Sequence, residues 1–346
     1  MGTATPADRR KTAYWLFLCC GLVFLMVMIG GITRLTHSGL SIVEWQPVAG
    51  VLPPTSEAQW QELFAKYQAT PEFKQRNPEM TVEGFRKIFW WEYIHRLLGR
   101  VIGAVFLVPF LYFWLRGKLD DGMALPLFGI FLLGALQGAL GWFMVQSGLV
   151  DEARVSSLRL AAHLGLAFAI FGAMLWVALD LVKRERFANT DALRGRAGAM
   201  LALVFLQVLA GALVAGIQGG LAYNTWPLMD GHFVPPDIAL LEPWWTNLAY
   251  NMATVQFTHR ILALAVALMA IALWFDVRRD LPNPRARRWS TLLAAVVLAQ
   301  VALGIVTLIA RVPLNLGILH QAGAIATFAV ALGLRHALRE VKEFQM

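Results

Sequence analysis

Charged side chains are scarce in this sequence: 15% of its 346 residues are Asp, Glu, Lys or Arg, against 58% hydrophobic. That excludes the two or three soluble domains a chain of this length would otherwise suggest, and a mean hydropathy of +0.57 points to a membrane protein. Cysteine is almost absent. The two present, Cys19 and Cys20, are adjacent inside an apolar run, so neither a disulfide framework nor a thiolate metal site is available. Disordered, collagen-like and small secreted classes are excluded by the same composition. Acids are also in the minority, 22 against 30 bases, giving a net charge of +8. Nucleic acid or anionic lipid would each account for that excess, and the position of the bases decides between them.

What is present is hydrophobic length. Crossing ~30 Å of hydrocarbon takes about 20 mainly apolar residues as helix, because each backbone amide must find its partner within the segment. Eight such runs occur, near 14–34, 93–115, 124–146, 156–181, 198–219, 251–275, 289–311 and 314–338. The first is read as a span and not a cleaved signal, being too long and lacking a small-residue cleavage site. Eighteen of the 30 bases fall at one set of span ends, within 9–11, 116–118, 183–196, 278–288 and 335–342. Both termini are therefore expected on the cytoplasmic side. The basic excess is explained by topology and anionic headgroups, so no nucleic acid is invoked. Trp15, Trp114, Trp176, Trp274 and Trp289 fall at the same ends, as an aromatic belt would. The opposite loops are longer. Loop one, about 35–92, holds Trp45-Gln46-Pro47, Pro53-Pro54 and an amphipathic stretch over Glu57–Tyr67, and loop five, about 220–250, holds Tyr223-Asn224-Thr225-Trp226-Pro227 and Trp244-Trp245. Such segments are expected to pack as caps over a site.

The chain is duplicated. Glu92-Tyr93-Ile94-His95-Arg96 matches Gln256-Phe257-Thr258-His259-Arg260, Gln137-Gly138-Ala139-Leu140-Gly141 matches Gln300-Val301-Ala302-Leu303-Gly304, and the segment around His163 matches that around His320. Spans two to four repeat as six to eight, while spans one and five correspond only by order. An even number of helices separates equivalents, so the duplication is parallel. The expected fold is an all-α integral membrane protein of eight transmembrane helices, built as two four-helix bundles related by a pseudo-twofold axis along the membrane normal, with halves at 1–185 and 186–346.

Four of the seven histidines, His95, His163, His259 and His320, lie in spans, each on a helix entering from the outside and within its first three turns. Polar residues there are costly and suggest function. Interhelical hydrogen bonding would account for one such histidine. Two per repeat at matched positions point to a pair of ligands per half. Zinc would need further ligands that do not recur in both halves, whereas two imidazoles on facing helices suit heme iron. Gly99, Gly103, Gly134 and Gly138 are candidates for close helix approach. Arg96 and Arg260 would each reach a heme propionate, or snorkel to headgroups. Glu92 lies three residues before His95, where the second half has Gln256. It would move protons or position water beside one heme only, or be a helix N-terminal glutamate favoured by the dipole.

These segments, with Gly30-Gly31-Ile32-Thr33-Arg34-Leu35-Thr36, Ser38 through Trp45, Glu72-Phe73-Lys74 and Tyr223 through Met229, resemble the heme A synthase family over nearly the whole chain. The resemblance implies oxidation of the C8 methyl of heme O to a formyl group, giving heme A for cytochrome oxidase, by successive hydroxylations. It further implies His95 and His163 as ligands of the substrate heme, His259 and His320 as iron ligands of a retained heme b, and Glu92 as catalytic. Heme O synthase and cytochrome oxidase assembly factors would be partners, a homo-oligomer is left open, and the location would be a bacterial inner membrane. Gram-positive members carry loop cysteine pairs that this chain lacks, so no thiol relay operates here. The rival reading, a diheme cytochrome b-type electron-transfer subunit, explains the histidines equally well but not the loops or the Glu92/Gln256 difference.

Overall fold

A computed structural model describes residues 4–45, 49–150, 152–182, 191–281 and 284–338. Gln46 and Pro47, and the bases Lys183, Arg184, Arg186, Arg339 and Lys342, lie outside the described residues. The long helices are α1 (Pro6–Leu35), α4 (Val82–Leu115), α5 (Ala124–Gln146), α6 (Ser157–Val182), α7 (Asp191–Gly216), α9 (Met252–Asp280), α10 (Pro284–Ile309) and α11 (Leu314–Ala337). Short helices α2 (Glu57–Gln68), α3 (Pro71–Arg76) and α8 (Asn247–Tyr250) belong to the long loops. Among the described residues no strand occurs, and eight helices are long and apolar enough to cross a membrane. The protein is thus a multi-pass membrane protein of eight spans.

Local chemistry sets the helix ends. At the start of α1, the Thr5 hydroxyl accepts from the Asp8 amide at 3.1 Å while the Asp8 carboxylate accepts from the Thr5 amide, with Pro6 in the first turn. This carries α1 a full two turns beyond the apolar run. α4 is also longer than its apolar core suggests, because Thr81 caps it and the residues from Val82 onward pack against α2. α7 stops at Gly216, short of the expected 219, where Gln218 turns left-handed (φ 58) into a tight turn over Gly219–Leu221. His37 makes the same turn after α1 (φ 53).

The core is continuous across the two sequence halves: α1 packs on α6, α4 and α11, and α7 on α9, α6 and α11. Trp15 does not anchor at the bilayer surface as expected. Its ring is buried between Phe106 and Phe113, and Nε1 donates to the Val105 carbonyl at 2.8 Å. The extra length of α1 places it below the end of the helix, where an indole needs an internal acceptor. Loop one folds as a cap. Trp60, Phe64 and Tyr67 of α2 interleave with Phe85, Phe89 and Tyr93 of α4 as a second, separate apolar cluster. Both long loops emerge at the end where α4 and α9 begin.

Phe85 is fully buried in that cluster, 5.2 Å from the Tyr67 ring and 5.5 Å from Phe64. Phe85→Ala is expected to cost about 3–5 kcal/mol, confined to the cap. Hydrogen exchange should rise over residues 57–76 while α6 and α9 stay protected, and unchanged exchange there would contradict the assignment of a separate cap cluster.

Candidate functional site

His163, His259 and His320 are the seventh, eighth and seventh residues of α6, α9 and α11, and His95 is the fourteenth of the longer α4. His95 lies within electrostatic range of His163, and His259 within that of His320. Each of these relations joins two histidines of the same half of the chain.

Each imidazole rests on a glycine of a neighbouring helix. A Cβ built on Gly30 would lie 3.2 Å from His95 Cε1, one on Gly141 2.9 Å from His163 Cε1, one on Gly211 3.1 Å from His259 Cε1, and one on Gly304 2.8 Å from His320 Cε1. Side chains larger than hydrogen would push each ring away. These, and not the glycines expected from the sequence, permit the close approach: Gly103, Gly134 and Gly138 face open space, and Gly99 meets only Met26 Cε at 3.3 Å. A small-residue spacing shows which side chains are short, not what stands opposite them.

Glutamines hold the rings from the side. Gln137 Nε2 donates to the His163 carbonyl at 3.0 Å and lies 3.4 Å from His163 Nε2, and Gln300 Nε2 donates to the His320 carbonyl at 2.7 Å and lies 3.2 Å from His320 Nδ1. Both stand four residues before their ring-facing glycine, Gly141 or Gly304, and the duplicated Gln-x-x-x-Gly was the available signal. Gln207 Nε2 approaches His259 Nε2 at 3.4 Å from α7. The equivalent position in α1, 181 residues earlier, is Met26, which leaves His95 without that partner.

The donor set suits an iron porphyrin. Nδ1 of His95, His163 and His259 is buried with no hydrogen-bond partner, a costly state for a ring nitrogen unless a Lewis acid or ligand engages the imidazole. Among the described residues no group of three or more His, Cys, Asp or Glu is placed to hold a metal ion. Two neutral imidazoles per site fit heme and not a protein-only zinc site.

Above each pair the loop is clamped to the helix. Glu92 is 2% exposed. Its Oε2 accepts from the Ser41 hydroxyl at 2.7 Å and the Ile42 amide at 2.8 Å, and its Oε1 accepts from Arg96 Nη2 at 2.7 Å and Nε at 3.1 Å. Arg96 also donates to the Glu44 and Ile42 carbonyls at 2.9 and 2.7 Å. In the second half Gln256 Nε2 donates to the Gly219 and Ala222 carbonyls at 2.7 and 2.6 Å, while Arg260 donates to Gln256 Oε1 at 2.9 Å and to the Thr225 and Tyr223 carbonyls at 3.0 and 2.7 Å. Ile42 and Tyr223, Glu44 and Thr225, Gly30 and Gly211, and His37 and Gln218 are all 181 positions apart. Spans one and five, which the sequence related by order alone, thus correspond contact by contact. The arginines expected at propionates are largely committed to loop carbonyls. Arg96 makes four hydrogen bonds, whereas Arg260 keeps a buried Nε with no partner.

Gly304→Ala is expected to displace the His320 ring and lower bound heme in the second half. Gly30→Ala, with its wider 3.2 Å approach, should act more mildly on the first half. Heme-to-protein ratios of the purified variants check both. Full heme content in Gly304→Ala would remove the glycine seat from the site.

A family described as "Cytochrome oxidase assembly protein" matches residues 13–332. A protein of Nitrosospira multiformis named heme A synthase is 55% identical over 337 residues, covering 96% of this chain and 95% of its own length. Proteins of the same name from Nitrosomonas eutropha and Parvibaculum lavamentivorans are 48% and 46% identical, each alignment covering at least 93% of both chains. With matches of this identity running almost end to end, the chain belongs to the cytochrome oxidase assembly family of heme A synthases.

Proposed function

We propose that the protein oxidises the C8 methyl of heme O to a formyl group, yielding heme A, with the His95/His163 half as the substrate site and the His259/His320 half holding heme b. The observation that supports this best is the divergence of two otherwise matched clamps: a carboxylate above one histidine pair, a carboxamide above the other. A protein that only relayed electrons through two hemes has no use for that difference, and the named relatives do not favour such a reading.

In this reading the heme b, when bound, supplies one-electron transfer, and the chain supplies everything that orients and protects. His95 and His163 would hold the substrate iron, their own rings positioned by Gly30, Gly141 and Gln137. The methyl is hydroxylated twice, each step taking the oxygen of one water and releasing two protons and two electrons, the electrons going to an external electron acceptor, and the resulting gem-diol loses water to give the aldehyde. Glu92 accepts protons at the substrate edge. Ser41 is its most mobile partner, because a hydroxyl can rotate away from Oε2 whereas the Ile42 amide and Arg96 are held by backbone and helix. Arg96 keeps the loop closed over this edge and excludes bulk water. On the other side Gln256 makes the same closure with no group to titrate, as suits a cofactor that is retained, and the free Arg260 Nε is the donor available to a heme propionate. Both termini are assigned to the cytoplasmic face of a bacterial inner membrane, with heme O synthase and oxidase assembly factors as partners.

Glu92→Gln is expected to retain both hemes while abolishing heme A formation. Mass identification of the noncovalent pigments extracted from membranes decides it, and heme A at the wild-type level in this variant would remove Glu92 from the chemistry. Replacing His259 by Ala is expected to deplete heme b while leaving heme O in the first half, read as a change in the extracted heme ratio.

A further inference from the structure

Glu72, in α3 of the loop-one cap, is only 3% exposed. One carboxyl oxygen, Oε2, is buried with no partner. The Tyr67 hydroxyl, fully buried and accepting from Asn77 Nδ2 at 2.8 Å, lies close enough to the same carboxyl to favour its charged form. The groups facing it are Tyr67 from α2, Arg76 from α3 itself, Arg34 from α1 and Glu92 from α4. Arg76 in turn lies against His37 Nδ1 at 3.2 Å near the cap surface. A second buried carboxyl thus lies in the cap that packs on α4 around Glu92, within electrostatic range of it.

We propose that Glu72 is the residue through which Glu92 exchanges protons with the aqueous face. A proton leaving the Glu92 cluster forms an O–H bond at the free Oε2 of Glu72, and that bond breaks when the proton passes to water at the cap surface. Glu72 touches no substrate and acts through Glu92, as a positioning residue for protons. Burial, followed by the neighbouring charge of Glu92, pushes the Glu72 carboxyl up to about 7 from an ordinary 4.5, against the opposing pull of Arg76 and Arg34. A carboxyl poised there changes state readily near neutral pH. The folded protein binds this proton more tightly than the unfolded chain does. Its stabilising contribution is therefore complete below 4.5 and is lost as pH rises through about 7.

The proposal deepens the heme A synthase reading and rests on it for its kinetic part, so the first test needs no turnover. Infrared titration of the full-length protein in lipid nanodiscs should show a protonated-carboxyl stretch that fades as pH rises through about 7. The band should be missing in Glu72→Gln, kept in Glu72→Asp, and shifted to higher pH in Tyr67→Phe, which removes a donor to the charged form. Tyr67→Phe carries the test if Glu72→Gln does not fold. Thermal stability of Glu72→Gln should match or exceed wild type above about 7, whereas a carboxylate kept only to pair with arginines would make it lower. In the kinetic part, heme O conversion against pH should show an inflection near 7 that Glu72→Gln loses at unchanged heme content and Glu72→Asp restores. An unaltered band or an unaltered pH profile in Glu72→Gln overturns the proposal.

Discussion

An imidazole can stay inside an apolar helical bundle only if its ring has room and its nitrogens have partners. The first need is met from the backbone outward, and the second only in part. Four glycines remove the one carbon that would displace a ring, and at His163 and His320 a glutamine on the adjoining span bridges ring and main chain. The result is a pair of seats that hold the histidine rings in place. Helix packing, loop closure and the long cap all follow from keeping those seats in register and dry.

The clamps above the seats share one geometry and differ at one side chain. Arg96 and Arg260 reach equivalent carbonyls, and the loops leave α1 and α7 through the same left-handed turn. What changed is hydrogen-bond polarity. Around Glu92 a hydroxyl and an amide point inward to satisfy an acceptor, whereas around Gln256 two carbonyls point inward to satisfy a donor. Neither side chain fits the other's loop without reorganisation. The two halves are therefore distinguished by the backbone as much as by one side chain.

The spans were legible because hydrophobic length is a strong signal, and the histidines because a matched polar residue in a span has few innocent explanations. The amphipathic stretch over Glu57–Tyr67 also appears as α2, Glu57–Gln68. Other features depend on tertiary neighbours that no periodicity encodes. Trp15 looks like any interfacial tryptophan until Phe106 and Phe113 enclose it. Gly30 and Gly141 cannot be told from Gly103 or Gly134 without knowing which helix face meets an imidazole. Glu72 lies on a polar hexapeptide, and its burial comes from tertiary packing of the cap.

Arg34, at the end of α1, donates to the Ala215 and Gly216 carbonyls at 2.8 and 3.2 Å, thereby capping α7 in the opposite half. The last carbonyls of a helix have no partner of their own and call for an outside donor. Because chains are inserted in order of synthesis, that donor is already in the bilayer when α7 arrives. The later half is completed by a group from the earlier one, so the two repeats are tied at a helix end as well as through their shared core.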